Sequence, residues 1–213
     1  IFYDQFMASI FNRGKVSPEE IKKILGDISN SLISASLILD GDWPFENSTL
    51  SAWHQNRLSL LINTLKHTHP APLLLSASRL SEKNFFDIVK TLEIFFFRYK
   101  YLCNNKIDPA TKIYHSACDA INNGTFNFQR FEQELRVLMD EFATDQKFLS
   151  GIDNFTYPKD SKGLKYLLLG LEENWRWHLD GYKGGLKGRN RSIDSSKVYD
   201  FKAMTIEHVY PTN

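Results

Sequence analysis

The chain has 213 residues, of which 42% are hydrophobic, 14% aromatic and 24% charged, and its formal net charge is +1. This composition is typical of a globular protein with a ring-rich core, and it excludes a disordered chain. No run of about 18 apolar residues occurs, which excludes a membrane-spanning helix. Cys103 and Cys118 are too few for a disulfide framework, so we expect buried thiols in a cytoplasmic protein.

The N-terminal part of the chain predicts one helix. The first residues carry no signal-peptide pattern, and the chain opens on Ile1 rather than Met, so we expect a fragment of a longer protein. Ser17-Pro18-Glu19-Glu20 is a helix start, with Ser17 and Glu20 as a capping box. Apolar residues follow at helical spacing at Ile21, Ile24, Leu25 and Ile28.

Two further helices are predicted between residues 58 and 97. The first has an apolar face made of Leu58, Leu61, Ile62 and Leu65, and it ends near a helix breaker at residues 69–72. The second is capped by Ser81 and carries a broad apolar stripe of Phe85, Ile88, Val89, Leu92, Phe95 and Phe96. Because that stripe is too wide for a one-sided surface helix, we expect it at the centre of the bundle.

Three more helices complete the predicted bundle. One begins at Asp108-Pro109 and stops at Asn123-Gly124. The apolar positions of the other two are Phe128, Phe131, Leu135, Leu138, Met139 and Phe142, and then Leu164, Leu167, Leu168, Leu171 and Trp175. The fold class is therefore all-α, an irregular bundle of six or more helices over residues 1–180.

Residues 181–200 differ in composition from the bundle and predict a basic linker, rich in Gly, Ser and charge. Over residues 182–202 the net charge is +4, so the remaining chain carries −3. Four of the cations are Lys183, Lys187, Arg189 and Arg191, with glycines between them. They could contact successive phosphates of a nucleic acid, and a solvated linker is the alternative.

The last nine residues, TIEHVYPTN, place Glu207 directly before His208, after a stretch (198–209) that predicts a strand. A metal-dependent nuclease needs a base for water, oxygen ligands for a divalent cation, and positive charge near the phosphate. Histidine suits the first role and a carboxylate the second. Pro211 supplies the bend that lets neighbouring side chains share a site. An ordinary polar turn is the alternative.

TIEHVYPTN resembles the opening of the HNH, or His-Me finger, nuclease motif, with its acidic residue, histidine and downstream proline. The stretches LKYLLLGLEENW (164–175), FFFRYKYLCNN (95–105) and PAPLLLSAS (70–78) resemble the helical middle region of GmrSD-like restriction and phage-defence proteins. In that family an N-terminal ParB-like, nucleotide-dependent domain precedes the helices and an HNH-type nuclease domain follows them. The resemblance covers most of residues 60–213.

The resemblance implies that residues 201–213 begin a truncated HNH-type nuclease domain, in which His208 is the general base and Glu207 a metal ligand. It implies a divalent cation, Mg²⁺ or Mn²⁺, and a DNA substrate for the intact parent protein. The second strand and helix of the finger would follow Asn213, and no Gly-Gln-Gln-Arg type nucleotide motif occurs here. We therefore expect the fragment alone to be inactive and its partners to be the missing N- and C-terminal domains.

Other residues carry weaker signals. His67-Thr68-His69 suggests a metal site, although helix-end histidines are the better interpretation because no further ligand lies at suitable spacing. Trp175, Trp177 and His178 could stack on bases, or belong to the core or an interface. Arg98 pairs with an acid or faces solvent. A non-catalytic helical interaction or scaffold module, in which Glu207-His208 is incidental, is the second functional hypothesis.

Overall fold

The computed structural model describes residues 17–156, 161–183 and 193–198, and within these ranges it contains eight α-helices and no strand. The helices are α1 (Pro18–Asp40), α2 (Ala52–Ser59), α3 (Ala71–Ala77), α4 (Glu82–Phe96), α5 (Asp108–Asn122), α6 (Phe128–Phe142), α7 (Asp145–Asp153) and α8 (Ser161–Leu179). The predicted all-α bundle is confirmed. Apart from Val198, the predicted strand lies outside the described residues.

The helix starts predicted at Ser17 and Ser81 are present with their capping bonds. The Ser17 hydroxyl accepts from the Glu20 N–H at 3.2 Å, while the Ser17 N–H donates to the Glu20 carboxylate at 2.8 Å. Ser81 caps α4 by accepting from the Asn84 N–H at 3.3 Å. These bonds satisfy amides that have no partner inside the helix, which is why short local patterns located these ends correctly.

Two helices were not predicted. α3 begins where residues 69–72 were interpreted as a breaker, because Pro72 lies in the first turn, where a backbone N–H is not required. α7 has only nine residues and contains Gly151, which weakens any periodic signal. That glycine allows a close approach, since a Cβ there would lie 2.7 Å from the Leu102 carbonyl oxygen.

Two helices continue as π-helical segments, called π1 (Leu60–Thr64, after α2) and π2 (Phe97–Leu102, after α4). Both end with wide backbone hydrogen bonds, such as Leu65 N–H to Leu60 O at 2.8 Å. Each is followed closely by a left-handed residue, Lys66 (φ 60°) or Asn104 (φ 50°). The wider turns rotate the following side chains about the helix axis. An α-helical spacing counted along the sequence therefore assigns residues after these turns to the wrong helix face.

The centre of the bundle is α4. Its stripe is buried as predicted, and Phe85, Ile88, Val89 and Leu92 are fully enclosed by the surrounding helices. A smaller cluster under α8 joins Trp53, Leu60, Leu169 and Ile193. No helix in the described ranges is long and apolar enough to cross a bilayer.

The two cysteines are free thiols, and their burial differs. Cys103 is buried as expected, and burial raises the pKa of its thiol. Cys118 is only half-buried, which corrects the expectation for this residue. Its sulfur lies 3.1 Å from the Ser76 hydroxyl, because α5 packs against α3 at this point.

Candidate functional site

Most residues predicted for nuclease chemistry lie outside the described residues, namely Glu207, His208, Lys187, Arg189 and Arg191. Lys183 is described, and it is exposed just after the end of α8. The indole N–H of Trp177 donates to the Lys183 carbonyl at 3.1 Å. This bond fixes the backbone at the start of residues 183–192, the part of the predicted linker called the basic segment, while leaving the ammonium group at the surface.

A buried ion cluster lies where α2, α4 and α8 meet. Arg57 of α2 donates through Nη1 to both oxygens of Glu93 at 3.0 and 3.1 Å, and through Nη2 to both oxygens of Glu173 at 2.9 and 2.8 Å. The three side chains are 5%, 2% and 11% exposed. Paired bonds of this kind match the planar guanidinium to two carboxylates at once, so the cluster fixes three helices relative to one another.

Two aromatic side chains complete the cluster. The Tyr166 hydroxyl donates to Glu93 at 2.7 Å, and the Trp53 indole N–H donates to Glu173 at 3.5 Å. The Arg57 guanidinium also lies over the Trp53 ring, 5.6 Å from its centre. Among the described residues, no hydrogen-bond partner faces the buried Nε of Arg57.

Burial and pairing act in opposite directions on the charges of the cluster. Burial disfavours the Arg57 guanidinium, but the attraction of Glu93 and Glu173 is larger together and raises its pKa. Complete burial raises the pKa of Glu93, and Arg57 and Tyr166 only partly reverse that rise. The cluster therefore depends most on Arg57, because removing that cation leaves two buried carboxylates without a compensating charge, whereas removing either acid leaves a neutral pair.

Sequence reasoning missed this cluster. Trp53 and Arg57 are four residues apart on α2, and Tyr166 and Glu173 are seven apart on α8, so each pair shares a helix face. The available signal was Glu93, a carboxylate placed between Leu92 and the aromatic run of α4. A charge in the predicted central helix implies a buried partner.

The cluster is joined directly to the chain that leads towards Glu207. The Trp53 N–H donates to the Ser195 carbonyl at 3.1 Å. Ile193 is 7% exposed and packs against Trp53, Leu60 and Leu169. Asp194 accepts from the Ser196 N–H and hydroxyl at 3.0 and 2.6 Å, and these bonds lower its pKa. Residues 193–196 are thus fastened to α2 and α8 after the basic segment.

Of the two histidines that gave a weak metal signal, His67 has a structural role and His69 is exposed. His67 is fully buried, stacks on Phe96 with ring centres 3.9 Å apart, and has Nε2 3.0 Å from the Tyr114 hydroxyl. Burial, with a smaller effect of His69, lowers the His67 pKa to about 3, so the ring is neutral. No group of three His, Cys, Asp or Glu residues suited to a metal occurs in the part of the chain that the structure describes.

The aromatic residues at the end of α8 lie at the surface. Trp175 is 49% exposed, with its ring 5.4 Å from that of His178, and Trp177 packs edge-on against Tyr182 at 4.8 Å. They lie immediately before the basic segment, a position suited to stacking on bases. Arg98, by contrast, is used internally: it donates to the Ala143 carbonyl and pairs with Asp145 at 2.7 Å.

No protein-family model matches this chain, and no curated protein matches it.

Proposed function

We propose that the helical bundle is the rigid platform of a metal-dependent DNA endonuclease of the restriction or phage-defence type, acting in the cytoplasm. The observation that carries this proposal is the fastening of residues 193–196 to Trp53 and α8. Glu207 follows Ser195 by twelve residues, which span at most about 40 Å of extended chain. The proposed nuclease motif is therefore connected to the platform by a short length of chain.

The basic segment is tethered at both of its ends. Lys183 is fixed by Trp177, and Ile193 is buried under α8, with nine residues between them that include Lys187, Arg189 and Arg191. Phosphate contacts by these cations position DNA without reading its sequence. Exposed Trp175 lies eight positions before Lys183 in the sequence and offers a surface on which a base can stack.

In the proposed reaction, His208 takes a proton from water through its imidazole, and the resulting hydroxide attacks phosphorus. The Glu207 carboxylate supplies the hard oxygen donor that Mg²⁺ and Mn²⁺ prefer, so the residue types fit such an ion. When bound, the cation stabilises negative charge on the phosphate and the leaving oxygen. The resemblance of TIEHVYPTN to the HNH motif and of the helices to GmrSD-like proteins supports this assignment.

The assignment of His208 is tested in the full-length protein by measuring nicking of supercoiled DNA with Mg²⁺ or Mn²⁺. We expect His208→Ala to abolish cutting, because the general base is lost. His115→Ala is the matched control, since it removes an exposed imidazole from α5, and it should cut normally. Undiminished cutting by His208→Ala would eliminate the nuclease assignment.

The basic segment is tested by the salt dependence of DNA binding. Replacing Lys183, Lys187, Arg189 and Arg191 by Gln should weaken binding and reduce the slope of log K against log salt by about 0.9 for each phosphate that is no longer neutralised. The control replaces four other exposed lysines by Gln, with the same change in net charge: Lys23, Lys66, Lys106 and Lys112. Equal slopes for the two variants would show that the basic segment is a linker that makes no phosphate contacts.

The alternative is a non-catalytic helical interaction module. It is favoured by the apolar face that α1 leaves uncovered, with Leu25 and Leu32 at 59% and 66% exposure. A full-length protein that folds but cuts no DNA under any divalent cation would support this alternative.

A further inference from the structure

α8 has an apolar stripe on the side that faces away from the bundle. This outer stripe consists of four residues at helical spacing: Leu168, Leu171, Trp175 and Leu179. Their side chains are 44%, 57%, 49% and 61% exposed. The buried residues of the same helix are Gly163, Leu169 and Glu173. A contiguous exposed apolar surface of this kind marks a site of interaction.

The outer stripe lies almost opposite the side chain that joins α8 to the bundle. Leu171 and Trp175 are each two positions from Glu173, and two positions correspond to about 200° of rotation in an α-helix. On the inner face, the charge of Glu173 and two glycines, Gly163 and Gly170, interrupt the apolar surface. The leucine pattern of α8 therefore describes, in large part, a surface that the bundle does not cover.

We propose that residues 199–206 of the same chain pack on the half of the outer stripe formed by Leu168 and Leu171. This segment directly follows the described residues 193–198, and it contains three large apolar residues: Phe201, Met204 and Ile206. Packing these side chains on the two leucines removes apolar surface of both elements from water. Trp175, in the other half of the stripe, stays open to a nucleic-acid base.

The attachment of the preceding residues brings this segment to α8. Ile193 packs against Leu169, which directly precedes the stripe in the sequence. The Ser195 carbonyl accepts from the Trp53 N–H at 3.1 Å. Phe201 follows Ser195 by six residues, which span about 20 Å when extended. A helix with its side chains is about 10 Å in diameter, so this length of chain passes from the inner to the outer side of α8.

The short connection favours the segment of the same chain over a second molecule. A segment joined by a few residues to its binding surface has an effective concentration on the order of millimolar. A second copy at micromolar concentration would need about a thousandfold tighter binding to displace it. Chain connectivity therefore argues for residues 199–206 as the occupant of this surface.

The packing would also determine where the predicted nuclease motif lies. Ile206 directly precedes Glu207, so packing of Ile206 holds the motif against α8, the helix that leads into the basic segment. This consequence rests on the proposed function, whereas the packing of residues 199–206 does not.

The packing is tested on the full chain, without DNA or metal, by hydroxyl-radical footprinting, in which mass spectrometry measures the solvent access of individual side chains. We expect Phe201 and Met204 to be modified about fivefold more slowly in the wild type than in Leu168→Glu with Leu171→Glu, because two charges oppose apolar packing. The matched control, Leu25→Glu with Leu32→Glu, places two acids at exposed apolar positions of α1 and should keep the wild-type rates. Circular dichroism should show native helix content for both variants.

The reciprocal change does not alter α8. Phe201→Asp should increase the modification of Leu168 and Leu171 by about threefold, because a charge in the segment opposes the same packing. Equal rates for Phe201 and Met204 in the wild type and the α8 variant would overturn the proposal, and so would unchanged leucine rates in Phe201→Asp.

A second copy on the stripe is a further outcome of the footprint. Protection that disappears on dilution from about 100 to about 1 μM would overturn the proposal, because contacts within one chain do not depend on its concentration. Since no cleavage is measured, each of these results is independent of the role assigned to His208.

Discussion

The Nη2 atom of Arg57 lies 2.8 Å from Oε2 of Glu173, and this contact joins α2 to α8 across 116 positions of sequence. The same guanidinium holds Glu93 of the central helix. α8 is thereby attached to the bundle by charge at Glu173 and by apolar contacts of Tyr166, Leu167 and Leu169. The attachment matters for function because α8 leads directly into the basic segment.

Removing one acid from the ion cluster should destabilise the protein. We expect Glu173→Gln to lower the free energy of unfolding by roughly 1–3 kcal/mol, because Arg57 loses charge-assisted hydrogen bonds in a buried site while its neutral pair with Glu93 remains. Glu172→Gln, at the adjacent exposed position, should change it by less than about 0.5 kcal/mol. Urea titrations of both variants measure the difference. Similar losses for the two would show that the cluster does not hold α8.

The stability of the protein should fall in acid through His67. Its pKa is about 3 in the folded protein and near 6.5 when unfolded, so below pH 6.5 the unfolded chain binds a proton that the folded chain does not. The contribution is complete above pH 6.5 and is lost as the pH falls towards 3, at about 1.4 kcal/mol per pH unit.

This contribution is measured as a difference between proteins, which cancels the effect of the carboxylates. Urea titrations between pH 7.5 and 4.5 give the difference in unfolding free energy between the wild type and His67→Gln. Below pH 6.5 this difference should decrease by about 1.4 kcal/mol for each unit by which the pH falls. His115→Gln, at an exposed position, is the comparison. A constant difference between wild type and His67→Gln across this range would contradict the prediction.

Replacing each of two glycines of α8 by alanine should have opposite effects on the stability of the protein. A Cβ at Gly163 would collide with the Tyr101 ring, so Gly163→Ala should cost about 1–3 kcal/mol as the ring or helix moves. A Cβ at Gly170 meets nothing within 4 Å, and Gly170→Ala should stabilise the helix by about 0.5–1 kcal/mol. Thermal unfolding of the pair tests the packing of α8 on π2, and a stabilised Gly163→Ala would refute it.

Detaching the segment before the nuclease motif should be possible without unfolding the bundle. Ile193→Asp places a charge among Trp53, Leu60 and Leu169, so we expect at least tenfold faster amide exchange over residues 193–198. The helices α4 and α5 should keep their protection. Val198→Asp, at a position 57% exposed, is the control and should exchange as the wild type does. Unchanged protection in Ile193→Asp would show that this anchor is weak.

The local chemistry of the sequence was sufficient for much of the fold. The caps at Ser17 and Ser81 and the central position of α4 followed from short patterns, since capping bonds and helical spacing involve residues only three to four apart. The start of α3 was misread because Pro70 and Pro72 were taken as a stop, whereas a proline in the first turn is compatible with a helix.

The candidate site could be predicted from the sequence only in part. The chemistry of Glu207 and His208 was inferred from their residue types and a resemblance, and it remains a prediction. The ion cluster was not predicted, because Arg57, Glu93 and Glu173 come from three helices that only packing brings together. Glu93 alone signalled that a partner was needed, without indicating which one.

By itself, then, the sequence determined an all-helical chain, the ends of several helices and the burial of the α4 stripe, because these depend on neighbouring residues. Only the tertiary structure decided that Arg57 joins three helices, that Ile193 returns to α8, and that Leu25, Leu32 and Leu39 of α1 stay exposed. Helical spacing defines which residues share a face. What that face meets depends on how distant parts of the chain pack together.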